Sequence, residues 1–417
     1  MQKCDDKGLT MQDAGNDASS KAEQEQSVQH DVVIVGGGMV GAAVAVGLGQ
    51  LGLNVAMIEA HQPKPYDPEQ ALDLRVSAIS VASEQLLERL GVMDELLSLR
   101  HVAYKGLETW EMEDCITQFH ADQIDETHLG YFFENRLIQL CLWKQINTMD
   151  NITVYCPDSV SAFERISANG QQHIKVTLQS GVVLNATLLV GADGANSQVR
   201  QWAGIGITGW DYAQSAMLIN VATATEQQDV TWQQFTPAGP RSLLPLPGNN
   251  ASLVWYDSRS RIKQLMQLNH QQLAEQIRHH FPERLDSDFT VIDRGSFPLT
   301  RRHAQSYCQD NVVILGDAAH TINPLAGQGV NIGFKDVDVL IATIGNDRPW
   351  WTQSTLKQYQ CKRYSDNLLM MSAMDAFYAG FSNDLLPMKL LRNGMLKLAN
   401  HDNPIKKKVL KYTLGLS

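Results

Sequence analysis

A chain of 417 residues, 44% hydrophobic and 19% charged, is long enough for two coupled domains and has the composition of an ordinary globular protein. Its formal net charge of −11 argues against a nucleic-acid partner, because phosphate binding needs a basic face. Six cysteines (Cys4, Cys115, Cys141, Cys156, Cys308, Cys361) lie far apart without a CxxC pair, which argues against a disulfide framework or a zinc site and points to a reducing, cytoplasmic compartment.

In chain order, residues 1–30 are polar and lack an apolar h-region, so a disordered tail is expected rather than a signal peptide. Asp31–Val35 reads as a buried strand, Met39–Leu51 as a helix of small and aliphatic residues, and Asn54–Ile58 as a second strand ending at Glu59. Val32–Ile58 carries no charge and Gly37-x-x-x-Gly41 imitates a membrane-helix motif, but three glycines at 36–38 would break a spanning helix and suit a strand-to-helix turn. Helical periodicity covers Ser83–Leu97 and Asn135–Thr148, and Val182–Val190 is strand-like. From about 210 to 296 the pattern is of short strands broken by Pro and Gly, with one helix near 271–280, as in an antiparallel insertion. Asn311–Leu315 is another buried strand, a helix follows from about Gly329 to Ile344, and 352–413 is mostly helical.

Two stretches carry cofactor chemistry. Gly36-x-Gly38-x-x-Gly41 sits between strand and helix: the first glycine turns the chain, the second admits a pyrophosphate, and the third lets helix and strand pack. The helix N-terminus offers unpaired amides to the phosphates, and Glu59 stands where an acid can bond the adenosine ribose. That unit alone does not separate NAD from FAD. Gly316-Asp-Ala-Ala-His320, running on through Pro324 and Gly327-Gln328-Gly329 to Asn331, is a second phosphate-type loop between strand and helix. Asp317 can accept hydrogen bonds from a ribityl chain, and the amides at Gly327–Gly329 can face a flavin's pyrimidine edge and stabilise the charge it gains on reduction. FAD is therefore the expected cofactor.

With these motifs the chain resembles the class A flavoprotein monooxygenases of the para-hydroxybenzoate hydroxylase type, most closely the ubiquinone-biosynthesis hydroxylases. The family's central motif is matched by Gly191-Ala-Asp193-Gly194 through Arg200, and the resemblance assigns Asp193, Gly194 and Arg200 to FAD and the reduced nicotinamide. By the same resemblance Arg75 contacts the flavin, and either Asn135 or Arg136 supplies a further FAD contact. The implied fold is α/β, with a Rossmann-like FAD-binding domain from 31–104, 131–200 and 297–345, an antiparallel substrate domain from 105–130 and 201–296, and C-terminal helices over 352–417. The implied activity is ring hydroxylation of a polyprenylated benzoquinol with NAD(P)H and O₂ through a flavin hydroperoxide; other proteins of the pathway are partners the resemblance allows. Leu107–Glu111, Thr231–Pro237, Leu253–Asp257 and Met374–Asn383 lie outside the flavin motifs and resemble one member of that group in particular. Which ring carbon is hydroxylated stays open.

The cofactor performs the oxygen chemistry, so no nucleophile or metal ligand is expected. His320 and Pro324 are the candidates for a direct role, His320 against the alternative of packing within its loop. Trp232, Phe235, Pro245, Trp255 and Phe297 can line the substrate side or be plain core. A second cofactor loop disfavours an NAD dehydrogenase. A flavin halogenase or prenyl reductase shares the fold, but the halogenase Trp-x-Trp-x-Ile-Pro signature is absent. Between Leu385 and Lys411 seven basic residues face one acid, beside an apolar stripe of Leu386, Leu390, Leu391, Met395 and Leu398. Two readings follow: a packed amphipathic helix with a solvated basic face, or a peripheral contact with the anionic inner membrane or a partner complex.

Overall fold

The computed structural model describes residues 28–168, 171–322, 329–346, 349–400, 406–408, 410 and 414. Its first sheet has a parallel spine in the order Val312–Ile314, Val183–Gly191, Val28–Val35, Val55–Ile58, Ile152–Tyr155. Parallel strands are covered on both faces, which is why they read as unbroken apolar runs. Val28–His30 pair with Leu184–Ala186, and His30 bonds the Asn54 side chain at 3.0 Å, so the first strand starts three residues inside the expected tail. The rest of that tail lies outside the described residues. The Met39–Gln50 helix is buried along nearly its whole length because small residues let it approach the sheet and two other helices, Asn135–Ile146 and Gly329–Asn346. The expected helix over Ser83–Leu97 is two, Val81–Arg89 and Met93–Ser98, divided where Gly91 takes φ +76° and its amide closes on Glu88.

The second sheet has eight strands and stands against one side of the first unit. Two of its strands are long. Ile207–Thr223 and Phe289–Ala304 pair along most of their 17 and 16 residues. Register shifts at Asp211/Ser215 and Asn220/Val221 absorb the irregularity that the sequence shows as breaks, with Pro298 beside the first of them. Nor is the sheet wholly antiparallel: Gly106–Trp110 runs parallel to Val230–Gln234. It arrives from far earlier in the chain, so no hairpin fixes its direction. Two helices cross the sheet, not one, Arg259–Gln267 and His270–His280, capped by the side chains of Ser258 and Asn269. Phe289–Ala304 runs through the expected boundary at residue 297 and ends against His320–Thr321, so the second cofactor loop joins the two sheets. The helices Gln353–Phe381 and Leu386–Ala399 lie over the junction.

Candidate active site

Four loops meet at the carboxyl ends of adjacent parallel strands, after Val35, Ile58, Gly191 and Ile314, where an open α/β sheet places its ligand. The glycine loop is held from two sides. A Cβ on Gly36 would stand 2.4 Å from the Ala192 carbonyl, and one on Gly41 only 1.9 Å from the Gly36 carbonyl, so both positions require the bare backbone. A Cβ on Gly38 would meet nothing within 4 Å, and Gly38 heads the Met39–Gln50 helix without a side-chain cap. The first amides of that helix thus have no capping side chain, and the space beside Gly38 is open, as an anion site needs.

Glu59 ends its strand with one carboxylate oxygen accepting from the Gly37 amide at 2.6 Å and the other from the His61 amide at 3.0 Å. The Gly37 carbonyl accepts from Gln139 Nε2 and Trp143 Nε1, both at 2.8 Å. Asn135, Gln139 and Trp143 share one face of the Asn135–Ile146 helix at four-residue spacing, a pattern that extends the site beyond Asn135 and Arg136. Asn135 itself accepts from Ser77 Oγ at 2.7 Å. Arg136 is committed elsewhere: it grips Asp73 at 2.9 and 3.2 Å and bonds the carbonyls of Lys64 and Pro65.

In the central motif, Asp193 caps the short Gln198–Trp202 helix, accepting from the Gln198 amide at 2.7 Å and from Ser197 Oγ at 2.5 Å, while Gly194 takes φ +78°. Arg200, 5% exposed, donates to the Ala318 carbonyl at 2.8 Å and the Ala195 carbonyl at 3.0 Å. Its guanidinium is thus a strut between the second and third motifs, where the resemblance had assigned it to nucleotide contact.

Gly316 opens the last loop at φ +59°. Asp317 is accessible to water yet surrounded by protein; burial raises its carboxyl above the usual range, partly offset by His320 and by Arg75 across the cleft. Among the described residues the side chains of Asp317 and Arg75 make no hydrogen bond, which leaves two opposed charges free at the cleft. His320 does not face the cleft. It is 3% exposed, its Nε2 donates to Asp336 at 2.5 Å, and the same carboxylate oxygen accepts from the Gly316 amide at 3.1 Å. Arg363 and Asn367 bond the other oxygen of Asp336 at 2.8 and 3.1 Å, and Asn367 bonds Tyr307, which bonds His303. Burial opposes the charge on Asp336, but His320 and Arg363 outweigh it and hold the carboxyl at about 2. His303 is pushed down to about 4 by burial and then by His320 and Arg301, so it is neutral. None of Asp336, Arg363, Asn367 or Tyr307 carried a motif in the sequence. Pro324, Gly327 and Gln328 lie outside the described residues; Gly329 begins the Gly329–Asn346 helix with open space beside it.

The second sheet offers the cleft one face only. Phe297, Ala216 and Tyr256 form a cross-strand row there, packed with Leu299 and with Met374 and Tyr378 of the long helix. Trp232 and Trp255 lie on the opposite face, in the core beneath Arg259–Gln267 and His270–His280, and Pro245 sits opposite Ala251 of that core. These three are packing, because strand alternation turns them from the cleft. Phe235 stacks on Phe381 at 4.1 Å.

A family model described as "FAD binding domain" matches residues 29–366, and the chain belongs to that family. It is an FAD-dependent aromatic hydroxylase, a class that uses NAD(P)H and O₂ as cosubstrates. Among curated proteins it is 48% identical to 3-demethoxyubiquinol 3-hydroxylase of Escherichia coli over 93% of this chain and 98% of that one. It is 32% identical to the ubiquinone hydroxylase UbiL of Rhodospirillum rubrum over 92% and 89% of the two chains. These relatives place it among the FAD-dependent hydroxylases of ubiquinone biosynthesis. The solved structure of PqsL from Pseudomonas aeruginosa, titled a probable FAD-dependent monooxygenase, shares the fold at a TM-score of 0.75 and 21% identity, covering 88% of this chain and 99% of that chain.

Proposed function

We propose that the chain hydroxylates the ring of a polyprenylated benzoquinol at the demethoxyubiquinol step. The observation that supports this step is the assembly of four separate stretches into one region on the substrate side. Leu107–Trp110 pairs with Thr231–Gln234, Phe235 stacks on Phe381, Arg241, the strand partner of Gln234, pairs with Asp257 at 3.2 Å, and Glu111 meets Asn383 through Arg392. Those are the stretches that single out one member of the family, and they lie in the second sheet and the helices over it rather than in the cofactor loops.

The residues fit FAD. The open space beside Gly38 suits the pyrophosphate, and Glu59 the adenosine ribose. Asp317 accepts from ribityl hydroxyls, Arg75 lies opposite, and Asn135 rather than Arg136 supplies the additional contact. Asp193 and Arg200 act on the nucleotide through the loops they hold. Bound FAD, reduced by NAD(P)H, supplies the activation of O₂. The protein orients the quinol ring against Phe297 and Tyr256 and keeps water away from it. One oxygen atom enters the ring and the other leaves as water. Such a substrate carries an apolar tail and comes from a lipid surface, which this protein meets from the cytoplasmic side; among the described residues no helix is long and apolar enough to cross a membrane.

The test is quinone profiling of a deletion strain. Accumulation of the demethoxy quinone, cleared by the intact gene and not by an Asp317→Ala copy, is the expected result. Accumulation of a precursor lacking a different ring oxygen would assign the enzyme to another step.

A further inference from the structure

The Leu386–Ala399 helix is built inside out. Its inward face is polar: Arg392 and Asn393, 7% and 3% exposed, converge on buried Glu111 at 2.5 and 2.7 Å. Four apolar residues face outward, with Leu386 at 66%, Leu390 and Leu391 at 58% and Met395 at 61% exposure, beside Leu385 at 64%. Phe377 of the preceding helix, 49% exposed, adjoins them, stacked on the Phe381 ring that Arg392 covers. A surface helix ordinarily buries such a stripe, and a contiguous exposed one marks an interaction surface. The buried ion pair fixes the rotation, since turning the stripe inward would strand Glu111 as an unpaired charge.

On the reading that the substrate is a tailed quinol, we infer that this patch docks on an anionic lipid bilayer, with the helix lying in the plane of the interface. Two observations favour a bilayer over a second copy of the chain. No acid occurs from Leu385 to Asn400, the preceding Asp384 is taken by Lys389 at 3.2 Å, and Lys397, Lys407 and Lys408 are exposed in a chain that is otherwise strongly acidic. A two-fold contact across the stripe would bring like charges together, whereas anionic headgroups neutralise them. The patch is also continuous with the substrate side: Met374 and Tyr378, within a helical turn of Phe377, pack with the Phe297–Tyr256 row. A docked helix therefore sets the cleft beside the bilayer, so a tail need not cross water. Of the basic residues between Leu385 and Lys411, Lys406 is turned away from headgroups, because it is buried, bonding the Asn400 carbonyl and lying over the Phe119 ring.

Flotation of the full-length holoenzyme with phosphatidylglycerol–phosphatidylethanolamine vesicles, against pure phosphatidylcholine vesicles, tests this without using the substrate. Binding to the anionic vesicles is expected, falling about tenfold or more in Leu390→Glu/Leu391→Glu and in Lys397→Glu/Lys407→Glu/Lys408→Glu. Both variants should keep their FAD and their NAD(P)H-dependent turnover of a tail-less quinol, because none of these side chains is buried. If the wild type ignores anionic vesicles, or if both variants bind as well as it does, the inference is overturned. It is equally overturned if the wild type ignores vesicles but is a dimer by light scattering that Leu390→Glu/Leu391→Glu splits, for then a second copy covers the stripe. Vesicle binding with no turnover of any quinol would remove the proposed substrate and leave the docking surface standing.

Discussion

Asp317 is under two opposed demands. Its carboxyl is raised above the usual range by desolvation, so the charged form is a cost to the folded apoprotein at neutral pH. The same carboxylate is the acceptor that a ribityl chain needs. Asp317→Ala should weaken FAD by about 1.5–3 kcal/mol, roughly 10- to 150-fold in Kd, read by flavin fluorescence on dilution. Asp317→Asn should weaken FAD without lowering the melting temperature of the apoprotein, a pairing that a merely structural aspartate would not give. Since the folded value lies above the unfolded one, FAD should begin to leave as pH falls through a range above the ordinary carboxylate value of 3.8. Unchanged FAD content in Asp317→Ala would take the residue out of the site.

At the scale of elements, the Met39–Gln50 helix shows which glycines serve the fold and which serve a ligand. Gly41→Ala puts a methyl 1.9 Å from a backbone carbonyl and should lower stability and FAD content together. Gly38→Ala meets no protein atom within 4 Å and sits at φ −67°, so it should leave the apoprotein's melting temperature nearly unchanged and still reduce FAD binding, because the methyl enters the phosphate's space. Equal FAD affinity in Gly38→Ala and wild type would mean that the pyrophosphate lies elsewhere. The three glycines were legible from spacing because strand, turn and helix are neighbours in sequence. The support of that loop by Gln139 and Trp143 was not, since the contact spans about a hundred residues and no local pattern encodes it. The same limit hid the Asp336–His320–Arg363 cluster, which is assembled from two helices and a loop.

Across the whole molecule, the two sheets must close on each other around the substrate. Asn220, 1% exposed in the second sheet, donates to the carbonyls of Leu72 and Asp73 at 3.1 and 3.3 Å, just ahead of Arg75, and Arg136 holds Asp73 from the other side. Asn220→Ala should therefore loosen the seam rather than the core. The expected outcome is a larger share of NAD(P)H consumed with release of hydrogen peroxide and no hydroxylated product, because water reaches the ring site. A variant with wild-type coupling between NAD(P)H oxidation and hydroxylation would show that this seam does not seal the cleft.

The amino-acid sequence by itself determined the parallel core, the glycine loop, the Gly316–Asp317 loop and the cofactor they imply, since each is a local pattern whose period or glycine spacing follows from backbone geometry. Only the tertiary structure decided which side chains reach the cleft. Strand alternation sends Trp232 and Trp255 to the far face and Phe297 to the near one, and two long register-shifted strands replace the apparent short ones. Arg200 carries a charge that suits a nucleotide and His320 a ring that suits a direct role, but buried carbonyls and the carboxylate of Asp336 claim them first. The Leu386–Ala399 stripe has the spacing of a packed helix, yet it faces outward because Glu111, some 280 residues away, binds the opposite face. Periodicity shows that a helix has two faces; which one is buried depends on a partner that no local window contains.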